Sequence, residues 1–285
     1  MKHRIDPLIQ ERAPWLFQDR LDTRLVRSAL NALLRYERTL AIGETLQDMS
    51  ADQIMTSLGD LLARDVQATG LHNLPGFGPA LIVSNHPTGI ADGIVLNHIL
   101  RQVRPDIYYF ANHDIMRVLP QMQAMIAPVE WRKEKRSHGK TRQTMAYTRQ
   151  AVDEGRLGVI FPSGRLAKRS GLSLHERPWM ASAAMIARKF GLPVIPVHIR
   201  ARNSVMFYLF DRIHPTLRDI TLFHETLNKA HQPFQITVGE PISAASLPAK
   251  SEDGIAMLRR ATLALAGRKA PAVSLVDATR RPSRT

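Results

Sequence analysis

Short apolar runs bounded by turn-forming residues recur along the chain and alternate with stretches of helical periodicity. Such a run predicts a buried β-strand, whereas apolar residues three and four positions apart predict a helix. The predicted strands cover residues 80–83, 107–112, 127–131, 157–162, 192–200 and 234–242. The predicted helices cover residues 25–40, 51–68, 93–100, 114–126, 141–153, 179–190 and 253–266, with an interrupted helical region at 205–230. Strands that alternate with helices in this way predict an α/β fold.

The helix predicted at residues 25–40 is amphipathic and basic. Its apolar face holds Val26, Leu30, Leu33 and Leu34. The arginines of this segment lie mostly off that face, at positions 24, 27, 35 and 38. Our first interpretation is a helix that docks on the protein core, and our second is a helix that lies on an anionic membrane.

The charge of the chain favours anionic partners. Its 285 residues carry a formal net charge of +14, with a sequence pI of about 10.7. Nucleic acid, an anionic membrane and phosphorylated substrates are all compatible with this charge. The chain has no cysteine, which excludes disulfides, thiolate metal sites and cysteine nucleophiles. No secretory signal is visible at the N-terminus, and no stretch approaches the roughly 18 apolar residues that span a bilayer.

A histidine and an aspartate follow the strand predicted at 80–83. His86 and Asp92 lie in the segment SNHPTGIADG, where Gly89 and Gly93 allow the loop to curl. Loops at the carboxyl ends of strands in α/β proteins commonly carry functional sites. The pair suits a general base whose tautomer is fixed by a carboxylate. Taken alone, one histidine and one aspartate in a loop would favour a histidine that caps or bonds local backbone.

A second candidate segment follows the strand predicted at 157–162. Ser163, Gly164 and Arg165 form a small turn in which backbone N–H groups and a guanidinium are suited to an anionic group. We discount Ser163 as a nucleophile because a nucleophile elbow requires glycine two residues earlier, where Phe161 stands.

Taken together, these segments resemble the glycerolipid acyltransferase superfamily, which includes the 1-acylglycerol-3-phosphate acyltransferases. The similarity covers roughly residues 65–243: a Gly-Leu-x-x-Leu-Pro lead-in from Gly70 to Pro75, the Asn-His block, a basic middle motif, the Phe-Pro-x-Gly-Arg block and the Val-Ile-Pro-Val block. The stretch IRARNSVMFYLFDRIHP is similar to the haemolysin-like lysophospholipid acyltransferase subgroup. The resemblance implies a mixed central sheet flanked by helices, with a helical N-terminal region.

The resemblance also implies roles for individual residues. His86 matches the catalytic histidine and Asp92 its aspartate. Substrate contacts are implied for Asn85, Arg132, Ser163, Gly164, Arg165 and Pro196. Two positions depart from the usual pattern. Five residues separate the histidine from the aspartate instead of four, and Gly89 is expected to absorb the extra residue. Ser163 stands where the third motif usually carries glutamate, so the acceptor head group is left open.

The function implied is direct acyl transfer from acyl-CoA or acyl-carrier protein to the free hydroxyl of a lysolipid. His86 acts as general base, no covalent intermediate forms, and N–H groups of the glycine-bearing loop are expected to stabilise the oxyanion. Lysophosphatidic acid is the first acceptor expected, and a lyso-aminolipid such as lyso-ornithine lipid the second. No cofactor or metal is expected. The protein is expected at the cytoplasmic face of a bacterial inner membrane, bound peripherally to anionic lipid.

We expect three regions along the chain. Residues 1–64 form a helical N-terminal region, residues 65–267 an acyltransferase domain, and residues 268–285 a basic, disordered tail.

The sequence gives weaker support to two other functions. A metal-dependent hydrolase would need clustered ligands, whereas the 11 histidines are scattered and no HExxH spacing occurs. A nucleic-acid-binding protein is favoured by charge alone, because the basic stretch 132–142 contains no known binding motif, and no specific nucleic-acid partner is expected.

Overall fold

The computed structural model describes residues 1–130, 137–267, 272–276 and 278. Helices in these ranges are α1 (Lys2–Arg12), α2 (Leu21–Leu33), α3 (Tyr36–Leu46), α4 (Ala51–Leu62), α5 (Ile90–Leu100), α6 (Asp114–Val118), α7 (His138–Asp153), α8 (Ser182–Phe190), α9 (Val205–Ile213), α10 (Pro215–Ile220), α11 (Leu222–Leu227) and α12 (Ser251–Ala264). Strands are β1 (Val66–Thr69), β2 (Ala80–Ser84), β3 (Ile107–Asn112), β4 (Ile126–Val129), β5 (Leu157–Ile160), β6 (Lys168–Ser170), β7 (Ser173–His175), β8 (Val194–Arg200), β9 (Phe234–Val238) and β10 (Ala272–Ser274).

The central sheet of the described residues has seven strands in the order β1-β9-β8-β2-β5-β3-β4. All neighbours are parallel except β8 and β9, which are antiparallel. The α/β prediction with a mixed sheet is therefore confirmed. Because β2 pairs in parallel with β5, the loops that follow these two strands leave the same edge of the sheet side by side.

Each face of the sheet is covered by helices, so the central strands are apolar on both sides. In β2, Ala80 and Ile82 pack in one hydrophobic cluster while Leu81 and Val83 pack in the other. The first cluster takes residues from α1, α3, α4 and α5, and the second from α7, α8 and α12. This two-sided burial explains why the strands read as continuous apolar runs.

Several predicted elements differ in detail. The predicted helix 25–40 is two helices, because Arg35 adopts a left-handed conformation (φ 50°) between α2 and α3. The predicted helix 51–68 ends at Leu62 and is followed by β1, an edge strand of only four residues. The predicted helix 114–126 is also shorter: α6 ends before Pro120, which opens a 3-10 helix.

A small second sheet was not predicted. Among the described residues β6 and β7 form a hairpin, and β10 pairs antiparallel with β7. Each of these strands has only three residues, too few for a periodic signal. β10 lies within the segment predicted as a basic tail, most of which lies outside the described residues.

The predicted apolar face of the first amphipathic helix is only partly covered. Leu34 is buried and Leu30 packs against the same cluster, but Val26 and Leu33 are exposed. Within the described residues no helix is long and apolar enough to cross a bilayer.

Candidate active site

His86 and Asp92 form a hydrogen-bonded pair at the carboxyl edge of the central sheet. His86 Nδ1 lies 3.0 Å from Asp92 Oδ2. Because a carboxylate only accepts hydrogen bonds, Nδ1 carries the proton in this pair and Nε2 is left as the basic atom. The imidazole is 17% exposed and lines a cavity, whereas the Asp92 side chain has no solvent contact. This is the arrangement that a general base and its orienting carboxylate require.

The loop before α5 is built around the Asp92 carboxylate. Asp92 lies in the first turn of α5 and accepts hydrogen bonds from the backbone N–H groups of Thr88 (2.8 Å) and Gly89 (3.0 Å). The Thr88 hydroxyl donates to the other carboxylate oxygen at 2.5 Å. Gly89 has φ +93° and ψ −135°, a conformation that side chains rarely allow. The expectation that Gly89 accommodates the longer loop fits this geometry.

The same contacts overturn one expectation. The N–H groups of Thr88 and Gly89 point at Asp92, so they are not available to stabilise an oxyanion. The prediction of oxyanion donors in this loop is wrong for these two groups.

The imidazole of His86 is held by residues that follow β5. The Phe161 ring stacks on it, with ring centroids 4.3 Å apart and planes inclined by 22°. The backbone carbonyl of His86 accepts from the Ala167 N–H at 2.9 Å. Its backbone N–H donates to the carboxylate of Glu176 at 3.2 Å. Glu176 was not predicted, because its position ninety residues from His86 gives no local signal.

His86 faces a cavity of about 1520 Å³ that is lined by both apolar and charged side chains. One part is lined by apolar side chains of the N-terminal helices and α5, among them Ile5, Leu8, Leu46, Ile54 and Ile94. This part has the lining expected for a hydrocarbon chain.

Another part of the cavity wall is cationic. Arg165, Arg177 and Arg218 all line the cavity. Burial lowers the pKa of Arg177, and the positive charges of Arg165 and Arg218 lower it further, so the three guanidiniums lie within electrostatic reach of one another. Asp211 and Asp219 partly balance Arg218. This cationic cluster can hold an anionic group. Arg177 and Arg218 were not predicted, since neither belongs to a recognised motif.

The other predicted substrate contacts are placed differently. The Asn85 amide is bonded at both ends to the backbone of Ile199, at 2.7 and 2.8 Å, and so ties β2 to β8. The Ser163 hydroxyl donates to the Arg165 carbonyl at 2.7 Å. Pro196 lies within β8, opposite Val83. Only Gly164 and Arg165 of these residues line the cavity. Arg132 lies outside the described residues. Substrate contact by Asn85, Ser163 and Pro196 stays a prediction.

No metal centre is formed by the part of the chain that the structure describes, since no three histidine, aspartate or glutamate side chains there are grouped to hold an ion.

Comparisons with known proteins find similarity to acyltransferases. A family model described as Acyltransferase matches residues 65–200. A relative from Phocaeicola vulgatus, named lyso-glycine lipid O-acyltransferase, is 26% identical over 190 residues, which cover 64% of this chain and 66% of that protein. The chain thus spans about two thirds of that relative. A second protein of the same name, from Bacteroides thetaiotaomicron, is 23% identical over 249 residues, covering 84% of this chain and 87% of that protein.

The fold also matches a solved structure. The crystal structure of the 1-acyl-sn-glycerophosphate (LPA) acyltransferase PlsC from Thermotoga maritima superposes with a TM-score of 0.51. The match covers 87% of this chain and 98% of that chain at 14% sequence identity. At this identity the likeness concerns the fold.

Proposed function

Because the chain belongs to the glycerolipid acyltransferase superfamily and is an acyltransferase, we propose that it transfers a fatty acyl group from a thioester to the free hydroxyl of a lysolipid. One observation carries the proposal: the His86–Asp92 pair lies on the wall of a cavity that is apolar in one part and cationic in another. Such a cavity suits an amphiphile with an anionic head group.

The reaction follows from the placement of the imidazole. His86 Nε2 removes the proton of the acceptor hydroxyl as its oxygen attacks the thioester carbonyl. Asp92 stabilises the imidazolium that forms, and the proton then leaves with the thiolate as the C–S bond breaks. The cationic cluster of Arg165, Arg177 and Arg218 holds the anionic head group. No acyl-enzyme is required.

We place a lyso-aminolipid first as the acceptor. Both relatives carry the name lyso-glycine lipid O-acyltransferase. Lysophosphatidic acid is the second candidate, and the guanidinium cluster favours it because phosphate is well matched to arginine. The donor is acyl-CoA or acyl-carrier protein, both of which are acidic and are attracted by a net charge of +14.

A peripheral position on an anionic bilayer is supported by two neighbouring helices. Thirteen large hydrophobic side chains are exposed within the described ranges, and seven of them lie on α2 and α9: Leu21, Leu25, Val26, Leu33, Val205, Leu209 and Ile213. The two helices meet in one cluster, where Leu30 and Leu34 pack near Met206 and Phe210. We call the seven exposed residues the α2–α9 face.

The α2–α9 face is well placed to pass lipid to the site. On α9 the exposed stripe of Val205, Leu209 and Ile213 lies opposite Phe207 and Tyr208, which line the cavity. A lipid bilayer under this face would be separated from the cavity by one helix. Since acyl-CoA and acyl-carrier protein are cytoplasmic molecules, we place the protein at the cytoplasmic face of the inner membrane.

The test is a panel of lysolipids offered to the purified protein with acyl-CoA and with acyl-carrier protein. We expect acylation of a lyso-aminolipid, and a loss of roughly 10²- to 10⁴-fold in kcat for His86→Ala. His231→Ala is the matched control, because His231 is exposed and does not line the cavity. Full activity of His86→Ala, or no acylation of any lysolipid by the wild-type protein, would refute the proposal.

A further inference from the structure

Glu176 is a buried carboxyl directly beside the His86–Asp92 pair. It is 8% exposed and follows β7. One carboxylate oxygen accepts the backbone N–H of His86 at 3.2 Å, and the other accepts the indole N–H of Trp179 at 2.9 Å.

Both the backbone N–H and the backbone C=O of His86 form hydrogen bonds with the segment that follows the Phe-Pro-x-Gly-Arg block. Its N–H is bound by the Glu176 side chain, and its C=O is bound by the Ala167 N–H. Residues 167 and 176 flank the β6–β7 hairpin, so the hairpin brings both groups to the same peptide unit. Glu176 is itself fixed, because Arg259 donates to its backbone carbonyl at 3.1 Å.

The charge of Glu176 is placed where the reaction creates positive charge. Burial raises the pKa of this carboxyl, while the bonds from Trp179 and His86 and the charge of His86 act in the opposite direction. An imidazolium at His86 would therefore be stabilised by a second carboxylate besides Asp92.

We propose that Glu176 is a positioning residue for the transfer reaction, and that it supplies from a later segment the carboxylate that the family pattern places at position 163. Ser163 stands at that position in this chain, and its hydroxyl donates to the Arg165 carbonyl. The inference rests on the proposed function, since it assigns the residue to the chemistry of the same site.

Glu176→Gln tests this proposal because it removes the charge and leaves only one acceptor oxygen for two converging donors. We expect kcat to fall roughly 10- to 100-fold, since a small displacement of a general base is costly, while the KM values for donor and acceptor stay near those of the wild-type protein. Thermal unfolding establishes that the variant is folded.

Trp179→Phe is the matched control. It deletes the other hydrogen bond to the same carboxylate but leaves the contact with His86 and the charge in place. We expect kcat within about threefold of wild type, although the lost hydrogen bond lowers stability. Equal losses in the two variants would overturn the proposal, because the carboxylate would then be only a packing anchor. So would a Glu176→Gln variant with wild-type kcat.

A second measurement does not depend on the substrate. An amide proton bonded to a carboxylate resonates downfield, so the His86 amide proton should move upfield in Glu176→Gln and stay in place in Trp179→Phe. An unchanged His86 signal in Glu176→Gln overturns the proposal even if activity falls. If the wild-type protein acylates no lysolipid, the proposed function fails, while the amide signal still decides whether Glu176 holds His86.

Discussion

The Asp92 carboxylate accepts four hydrogen bonds with no help from solvent. Asp92→Asn would replace one acceptor oxygen by an NH₂ group in a pocket of donors. We expect it to lower kcat roughly 10²- to 10⁴-fold, because the imidazole would lose the partner that fixes its tautomer. Steady-state kinetics with a saturating donor measure the loss, and circular dichroism verifies the fold. A variant with wild-type kcat would show that the pair is only a helix cap.

His198 predicts how stability depends on pH. It is 2% exposed, its Nε2 has no partner among the described atoms, and burial followed by the charge of Arg200 lowers its pKa from 6.5 to about 4. The folded state therefore keeps the imidazole neutral where the unfolded state binds a proton. This contribution to stability is complete above pH 6.5 and is lost as the pH falls towards 4.

The loss from His198 amounts to about 3 kcal/mol. It should appear in urea unfolding measured between pH 7 and pH 4. The His198→Leu variant lacks this titrating group. As the pH falls, its free energy of unfolding should therefore decrease less than that of the wild-type protein. Parallel curves for the two proteins would contradict the assignment.

At this scale the sequence indicates His86, Asp92, Gly164 and Arg165 because each follows a recognisable apolar strand. It does not indicate Glu176, Arg177 or Arg218, which reach the site only through the β6–β7 hairpin and α10. Their proximity to His86 is a property of the tertiary fold, so no spacing along the chain could reveal it.

Among the elements, the α2–α9 face makes a prediction for membrane binding. Leu25 and Leu209 are 72% and 53% exposed, one on each helix. Replacing both by serine removes apolar area that would enter the interface of the bilayer. We expect the partition constant on vesicles rich in phosphatidylglycerol to fall roughly tenfold or more. Co-sedimentation at low and high salt separates this apolar contribution from the charge of the protein.

Phe77→Ser is the control for the α2–α9 face. Phe77 is 90% exposed but precedes β2, at the amino edge of the sheet, whereas the site lies at the carboxyl edge. Vesicle binding should be unchanged in this variant. A similar loss in both variants, or none in the double variant, would exclude the α2–α9 face as the membrane contact.

The sequence predicts the strands that are buried on both faces, because such strands form continuous apolar runs. β2, β3, β5 and β8 are central strands, buried on both faces, and each was predicted from its apolar run. β1, β6, β7 and β10 have three or four residues and lie at an edge or in the second sheet. Strands that short contain too few residues for a hydrophobic pattern to identify them.

The helical N-terminal region and the sheet share one core. Ile5, Leu8, Leu46 and Ile54 pack in the same cluster as Ile82 and Val197, although the family model begins only at residue 65. We retain residues 65–267 as the proposed acyltransferase domain, with residues 1–64 completing its cavity. The sequence predicted helices in this region but could not predict that they form the cavity wall, since apolar faces do not specify their partners.

Because the N-terminal helices form part of the cavity wall, we predict that a residue on one of them limits the length of the acyl chain that the cavity accepts. Gly43 lines the cavity from α3, and a Cβ atom there would lie 2.6 Å from Cγ of the buried Met1 side chain, which must shift to make room. Gly43→Leu should therefore fill part of the apolar space while its better helix propensity offsets the crowding. Each methylene that no longer fits costs about 0.8 kcal/mol, roughly fourfold in kcat/KM. Assays with donors of increasing chain length should show a preference for shorter chains in Gly43→Leu and a smaller shift in Gly43→Ala. An unchanged chain-length profile in Gly43→Leu would mean that the acyl chain does not enter the cavity between the N-terminal helices.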